Sequence, residues 1–237
     1  MHLTRIFKNL ILFSTAFLCF TGSVYADGRD FSFKMGNTKI DVRTPDGFYE
    51  SSYIIPGRLK TTRTMYPDSL NVHALLLPKG ASDYERIKRY FIFASSKKLD
   101  KRKSSKKFFR DLREMIREQQ FTLLNKYRDE FDKAIKEGAL RLTNENDIEY
   151  RFQLGETTPL GVFDENENYI STNAITKLSI SVDGMNDKFL QTATMSIIFL
   201  KNKIIYVYGY SDFDSEKDII WIEAKTKELM NLLLNNN

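Results

Sequence analysis

The segment TATMSIIFLKNKIIYVYGY, residues 192–210, consists of two apolar runs on either side of a short basic turn. In an extended strand, successive side chains point to opposite faces. Ile197 and Phe199 then share one face of the first strand, while Ile198 and Leu200 share the other, so neither face is polar. Strands of this kind lie inside a sheet that is covered on both sides. We therefore predict a central β-hairpin with a layer of other elements on each face.

Two helical patterns can supply these layers. A long helix is predicted over residues 104–137, ended by Gly138 and kinked near residues 119–122. A final helix over residues 215–234 begins with SEKD, a capping box whose hydroxyl and carboxylate satisfy free amides at the helix start. The predicted fold class is α+β: a mainly antiparallel sheet with a long, kinked helix and a C-terminal helix packed on it.

Most of the remaining sequence has the pattern of strands and turns. The turn PDGF, residues 45–48, combines a proline that presets φ with a glycine that accepts a positive φ. Residues 49–69 show no clear periodicity, and we expect mostly loop there. An opening hairpin is predicted at residues 31–42, and further strands at residues 70–77, 89–94, 147–154, 159–163 and 169–182.

The two ends of the chain carry a resemblance. The turn PDGF soon after an opening hairpin, and the closing combination of a long hairpin and a capped helix, resemble the PsbP-like α/β sandwich family. They are also similar to small exported bacterial envelope proteins of unknown function. This resemblance implies an accessory or binding role more than catalysis, and it supplies no catalytic residue.

The N-terminus predicts export. Arg5 and Lys8 precede the eleven-residue apolar stretch LILFSTAFLCF, and VYA ahead of Asp27 is a typical cleavage-site pattern. The apolar stretch is too short to span a bilayer, although a retained signal anchor is the alternative. We expect residues 1–26 to be a cleaved signal peptide. Residues 27–237 are then one α+β domain, soluble in the periplasm or outside the cell, with no transmembrane segment.

Cleavage changes the chemistry that remains. It removes the only cysteine, Cys19, so no disulfide or thiol nucleophile is expected in the mature chain. It also removes two of the 36 Lys and Arg residues and none of the 31 Asp and Glu residues, so the formal net charge falls from +5 to +3. Export and this weak charge argue against a nucleic-acid partner.

The sequence offers no catalytic residue, metal site or cofactor motif. His73 is the only histidine after the predicted cleavage point, and we expect it to be a hydrogen-bonded structural residue. No G-x-S-x-G turn and no Gly-rich phosphate loop is present. Residues 164–175 and 212–223 place acidic oxygens at EF-hand-like positions, but both lack the glycine that makes the bend. An enzyme without a linear motif remains an open alternative.

The segment KKLDKRKSSKKFFRDLR, residues 97–113, carries nine basic and two acidic side chains. On the predicted helix, the spacing of 4, 3 and 4 residues places four cations in one stripe beside an aromatic-rich apolar face. This basic stripe consists of Lys106, Arg110, Arg113 and Arg117. Three interpretations remain open: a solvated helix face, contact with an anionic envelope surface, or an acidic protein partner.

A second candidate surface is aromatic. Tyr206, Tyr208 and Tyr210 share one face of the second strand of the central hairpin. Aromatic side chains on a central strand are more often core than ligand surface, and both interpretations are kept.

Together these patterns favour an exported, soluble envelope protein that acts as a non-catalytic binding or accessory factor. An envelope hydrolase with a carboxylate-based site is one alternative. An interaction protein, such as a toxin-neutralising immunity factor, is another.

Overall fold

A computed structural model describes residues 30–82, 86–126 and 128–237. The predicted signal peptide lies outside the described residues. The described part of the chain contains nine strands: β1 (Asp30–Met35), β2 (Thr38–Arg43), β3 (Phe48–Glu50), β4 (Leu70–Pro78), β5 (Arg89–Ser96), β6 (Tyr150–Glu165), β7 (Tyr169–Val182), β8 (Met185–Leu200) and β9 (Lys203–Asp212). It also contains five α-helices: α1 (Pro56–Met65), α2 (Lys97–Asp100), α3 (Lys106–Lys126), α4 (Arg128–Asn146) and α5 (Glu216–Asn235).

Seven of these strands form one antiparallel sheet in the order β3-β4-β5-β9-β8-β7-β6. β1 and β2 form a separate hairpin. The segment at residues 192–210 is the β8–β9 hairpin, in which Ile198 lies opposite Ile205. β9 is fourth of the seven strands, so the prediction of a central hairpin is confirmed. The predicted α+β class is confirmed as well.

Helix α5 and the β1–β2 hairpin cover the first face of the sheet. Ile222, Leu229 and Leu233 recur at helical spacing along α5 and are fully buried there. They pack against Ile205 and Val207 of β9, which point to this face. Burial of such side chains contributes roughly 1.5–3 kcal/mol each. The C-terminal helix is therefore one of the two covering layers that the hairpin requires.

Helices α1 and α3 cover the second face. Beneath α1 lies a cluster around Leu75 and Ile92. Beneath α3, Phe109 and Ile116 pack on Ile197, on the opposite side of β8 from the α5 layer. Helix α4 continues this layer over β6 and also contacts α1. None of the helices in the described ranges is long and apolar enough to cross a bilayer.

The long predicted helix is two helices, and its predicted end was wrong. Residues 119–122 are helical, α3 ends at Lys126, and α4 runs from Arg128 to Asn146, well past Gly138. A Cβ atom at Gly138 would lie 2.4 Å from the carbonyl oxygen of Met65. The glycine therefore lets α4 approach α1 closely. A glycine at a helix contact and a glycine that ends a helix have the same appearance in sequence.

The loop predicted at residues 49–69 is largely structured. It contains β3, a 3₁₀ turn at Ser51–Tyr53 and helix α1, which begins at Pro56. A proline at the first helical position loses no hydrogen bond. No residue of α1 is buried, and this explains why its sequence lacks an apolar period. Contacts from another element at its C-terminal end hold this helix in place instead.

Two local predictions are confirmed. In the PDGF turn, the amide of Phe48 donates to the carbonyl of Pro45 over 3.1 Å, and Gly47 has a φ of 85°. At the start of α5, Ser215 and Asp218 form the capping box.

Candidate functional site

Five half-buried tyrosines lie together on the second face of the sheet, under and beside α1. This tyrosine layer consists of Tyr66, Tyr90, Tyr206, Tyr208 and Tyr210. Tyr90 lies directly opposite Tyr210 in the β5–β9 ladder, and their rings stack with centroids 4.7 Å apart. The ring of Tyr208 is 6.1 Å from that of Tyr66 and 6.4 Å from that of Tyr206. The three tyrosines singled out from the sequence thus belong to a larger aromatic surface.

The hydroxyls of this layer differ in their hydrogen bonds. Those of Tyr66 and Tyr210 lie 3.1 Å apart and bond to each other. The hydroxyl of Tyr90 lies near the side chain of Gln191. The hydroxyls of Tyr206 and Tyr208 have no partner among the described side chains. Neither hydroxyl is therefore committed to a hydrogen bond within the described residues.

Burial controls the protonation of these phenols. It raises the pKa of Tyr90 to about 12. Burial likewise raises the pKa of Tyr206. It raises the pKa values of Tyr66, Tyr208 and Tyr210 well above the ordinary value for tyrosine. All five side chains are neutral hydrogen-bond donors throughout the physiological pH range.

Tyr66 and Tyr90 were not among the residues predicted from the sequence. Tyr66 follows α1, in the segment expected to be loop, and its position depends on Arg141 of α4. The guanidinium of Arg141 donates to the carbonyls of Thr64 and Tyr66 over 2.8 and 2.9 Å, which closes the C-terminal end of α1. Tyr90 lies two residues before buried Ile92, so the sequence pattern indicates which face of the sheet Tyr90 occupies. The pattern does not indicate which side chains lie next to it.

The basic stripe lies on α3 and faces the connection between β6 and β7. Three of its four cations bind this acidic turn, which consists of Glu165, Asn166 and Glu167. Arg117 pairs with both carboxylate oxygens of Glu165 at 3.1 and 2.7 Å, Lys106 is 2.8 Å from Glu167, and Arg113 donates to the carbonyl of Asn166. Arg110 stays exposed, 3.9 Å from Asp111.

These contacts change the protonation equilibria at the turn. The hydrogen bond with Glu165 raises the pKa of Arg117, and the hydrogen bond with Lys106 lowers the pKa of Glu167. An external anion would have to compete with the turn for three of the four cations. The stripe is thus a helix-to-turn contact, and its role as a binding surface stays a prediction.

His73 lies in a hydrogen-bonded chain. Its Nε2 is 2.8 Å from the hydroxyl of Ser95, which donates to Asp100 over 3.0 Å. The imidazole also stacks on Phe33 with ring centroids 4.6 Å apart. Burial lowers the pKa of His73. Such packing and hydrogen bonds are typical of a structural histidine, as the sequence predicts.

The acidic segments are engaged with other partners. Asp164 accepts a hydrogen bond from the hydroxyl of Tyr169 over 2.7 Å. Asp212 binds both terminal nitrogens of Arg86, at 2.7 and 2.6 Å. Within the described ranges, no three His, Cys, Asp or Glu side chains converge as metal ligands do.

Comparisons with known proteins give little for this chain. No family model matches it, and no curated protein matches it in sequence. Among solved structures, a variant of the protein Mog1 is 10% identical with a TM-score of 0.36, over 86% of this chain and 94% of that one. The Saccharomyces cerevisiae Ran-binding protein Mog1p is 9% identical with a TM-score of 0.33, over 87% of this chain and 93% of that one. These values are too low to bear on function.

Proposed function

We propose that this chain is an exported envelope protein that acts as a non-catalytic binding or accessory factor. Its proposed partner is an anionic component of the envelope, such as phospholipid headgroups, lipopolysaccharide or an anionic wall polymer. The observation that carries the proposal is the tyrosine layer, where Tyr206 and Tyr208 present hydroxyls without a partner among the described side chains.

The chemistry of the layer suits an anionic partner. A neutral phenol donates a hydrogen bond to a phosphate or carboxylate oxygen, and charge-assisted bonds of this kind are about twice as strong as neutral ones. The rings add apolar contact area at a small entropic cost, because a tyrosine has only two side-chain torsions. Since these phenols stay neutral, binding through them should be nearly independent of pH between about 5 and 9.

Removal of the two hydroxyls tests the proposal. Mature protein and the Tyr206→Phe/Tyr208→Phe variant are mixed with vesicles of anionic phospholipid, with lipopolysaccharide and with anionic wall polymer, and co-sedimentation is measured. We expect the wild type to bind at least one of these materials. Each lost bond to a charged group should weaken binding by about 1.5–3 kcal/mol, or roughly tenfold or more.

A matched control uses two tyrosines outside the layer, Tyr53→Phe/Tyr150→Phe, and should bind like the wild type. Thermal unfolding should be unchanged in the first variant, because the hydroxyls it lacks bond to no described side chain. The proposal fails if the wild type binds none of the materials. Equal binding by the wild type and the Tyr206→Phe/Tyr208→Phe variant would mean that the two hydroxyls take no part in binding and that these side chains serve only to pack the core.

One feature favours the alternative of a carboxylate-based hydrolase. A groove of about 620 Å³ between the β1–β2 hairpin and β4 is lined by Asp30, Asp41 and Glu50, together with His73. Glu50 already accepts the amide of Ser52 over 2.9 Å, and Asp41 pairs with Lys39 at 2.6 Å. Hydrolysis of an envelope polymer by the mature protein, lost in Asp30→Asn and Asp41→Asn variants, would support the alternative and count against the binding proposal.

The remaining alternative is an interaction protein such as a toxin-neutralising immunity factor. It predicts a one-to-one complex with a protein rather than binding to vesicles or polymers. Size-exclusion chromatography of the mature protein with a candidate partner separates the two.

A further inference from the structure

A pocket of about 380 Å³ lies at one end of the sheet, where β7, β8 and β9 meet the segment before β5. Four cationic side chains line it: Arg86, Lys88, Lys177 and Lys188. The apolar part of its wall comes from Phe189, Leu190 and Phe213. These cations come from three separate segments of the chain and belong to no motif, and the fold brings the segments together.

Arg86 is paired with two acidic side chains at this pocket. Its guanidinium binds both carboxylate oxygens of Asp212 and also lies 3.3 Å from Asp187. The same guanidinium stacks 3.9 Å above the ring of Phe189. Asp212 is therefore paired with Arg86, and Asp214 is the other carboxylate in the lining. Within the described ranges, Lys88, Lys177 and Lys188 have no ion-pair partner.

The β7–β8 register fixes two of the lysines relative to each other. Lys177 pairs with Leu190, and Lys188 lies two residues before Leu190 on the same strand. Both side chains thus emerge on the same face, in a diagonal relation of about 7–8 Å. Like charges at this separation repel, and a shared anion removes the repulsion.

The stem of Lys177 lies beside Gly155 of β6. A Cβ atom at Gly155 would lie 3.0 Å from the Cβ of Lys177 and 3.3 Å from its Cγ. Glycine at this position therefore leaves the room in which the lysine stem lies. The nearby amides of Asp214 and Ser215 already donate to the carboxylate of Asp218, so the start of α5 does not serve the pocket.

We propose that this pocket binds a phosphate monoester, with the ammonium groups of Lys88, Lys177 and Lys188 around the phosphate and the apolar wall beside its ester substituent. Four cations and two carboxylates, Asp212 and Asp214, line the pocket, so the lining carries a net charge of +2 that matches a dianion. The apolar wall lowers the local dielectric and strengthens the attraction. The phosphate belongs either to a soluble ester or to a lipid headgroup. None of its lining residues is a tyrosine, so different substitutions test this pocket and the tyrosine layer.

Titration with inorganic phosphate and with glycerol 3-phosphate at low ionic strength tests the site, with calorimetry as the readout. A vesicle arm uses phosphatidic acid, whose headgroup is a phosphate monoester, diluted in a zwitterionic lipid. We expect saturable one-to-one binding in at least one arm, weakened at least tenfold in the Lys88→Gln/Lys177→Gln/Lys188→Gln variant. Response to the soluble esters alone identifies a solute site, and response to the vesicles alone identifies a headgroup site; both support the proposal.

The control carries the same change of charge elsewhere. Lys34→Gln/Lys60→Gln/Lys79→Gln removes three exposed lysines outside the pocket and should bind like the wild type. The Tyr206→Phe/Tyr208→Phe variant should also keep its phosphate binding, so this proposal and the proposed function can fail separately. Absence of binding in every arm would falsify the proposal that this pocket binds a phosphate monoester. Equal weakening in the two lysine variants would also overturn it, because the effect would then come from net charge alone.

Discussion

At position 138 one methyl group decides whether α1 and α4 can pack as they do. A Cβ atom there would meet the carbonyl oxygen of Met65 at 2.4 Å. Overpacking typically costs about 1–3 kcal/mol, and a backbone carbonyl cannot rotate away as a side chain can. We expect Gly138→Ala to lower the free energy of unfolding in urea, because the cost of overpacking exceeds the roughly 1 kcal/mol that alanine gains over glycine in a helix.

Gly57 of α1 provides the control for this prediction, because no atom lies within 4 Å of the added Cβ. Gly57→Ala should be neutral or stabilising, by up to about 1 kcal/mol. Destabilisation by both changes to the same extent would show that the contact between α4 and Met65 is not the cause.

The protonation of His73 should couple to stability. Burial lowers its pKa in the folded chain, so below the ordinary value of about 6.5 the unfolded chain binds more protons. The stabilisation from a neutral His73 is then complete above that value and is lost as the pH falls through it. We expect the free energy of unfolding to decrease between about pH 7.5 and about pH 5.5.

The glutamine in His73→Gln keeps a donor near Ser95 but cannot titrate. The free energy of unfolding of this variant should therefore change less over this pH range than that of the wild type. Urea unfolding of both proteins at several pH values measures the difference. Parallel profiles would show that other groups account for the pH dependence and that His73 is not responsible.

At the scale of elements, the contact between α3 and the acidic turn explains why a strongly basic segment need not be a free surface. Glu165 and Glu167 hold Arg117 and Lys106. We expect Glu165→Gln/Glu167→Gln to release these cations, so that the basic stripe binds anionic vesicles more strongly than in the wild type. Binding should weaken as salt rises, since the Debye length shrinks to about 8 Å at physiological ionic strength.

The matched variant Lys106→Gln/Arg110→Gln/Arg113→Gln/Arg117→Gln should not show this increase in vesicle binding, and its melting temperature should stay nearly constant, because exposed ion pairs contribute little to folding. Co-sedimentation at two salt concentrations distinguishes the cases. If neither the wild type nor the glutamate variant binds at low salt, the stripe serves only the turn.

At the scale of the whole molecule, the predicted export concerns the part of the chain before the sheet. The pattern of Arg5 and Lys8, an apolar stretch and VYA predicts cleavage before Asp27. N-terminal sequencing of the exported protein should begin at Asp27 or within a residue or two of it. Ala26→Leu should leave an uncleaved precursor, because the peptidase site requires a small residue at that position. A full-length wild-type chain in the inner membrane would contradict the prediction.

The sequence by itself determined the features that depend on neighbouring residues. Apolar side chains on both faces of residues 192–210 require a central hairpin, and β8 and β9 lie in the middle of the sheet. The capping box at Ser215 and the PDGF turn are equally local, since each is completed by atoms within three residues. Such features can be recognised from the sequence because the residues that interact lie in the same segment.

The tertiary structure alone decided which distant residues meet. Tyr66 contacts Tyr210 because α4 holds the end of α1, and Arg117 contacts Glu165 because α3 lies beside the β6–β7 connection. The strand order places Lys88 and Lys177 in the lining of one pocket. Gly138 shows the limit most directly: the same residue predicts a helix end, yet it lies inside α4. The physical reason is that a contact between elements depends on register and on the approach of two backbones, and neither is encoded within one segment of the chain.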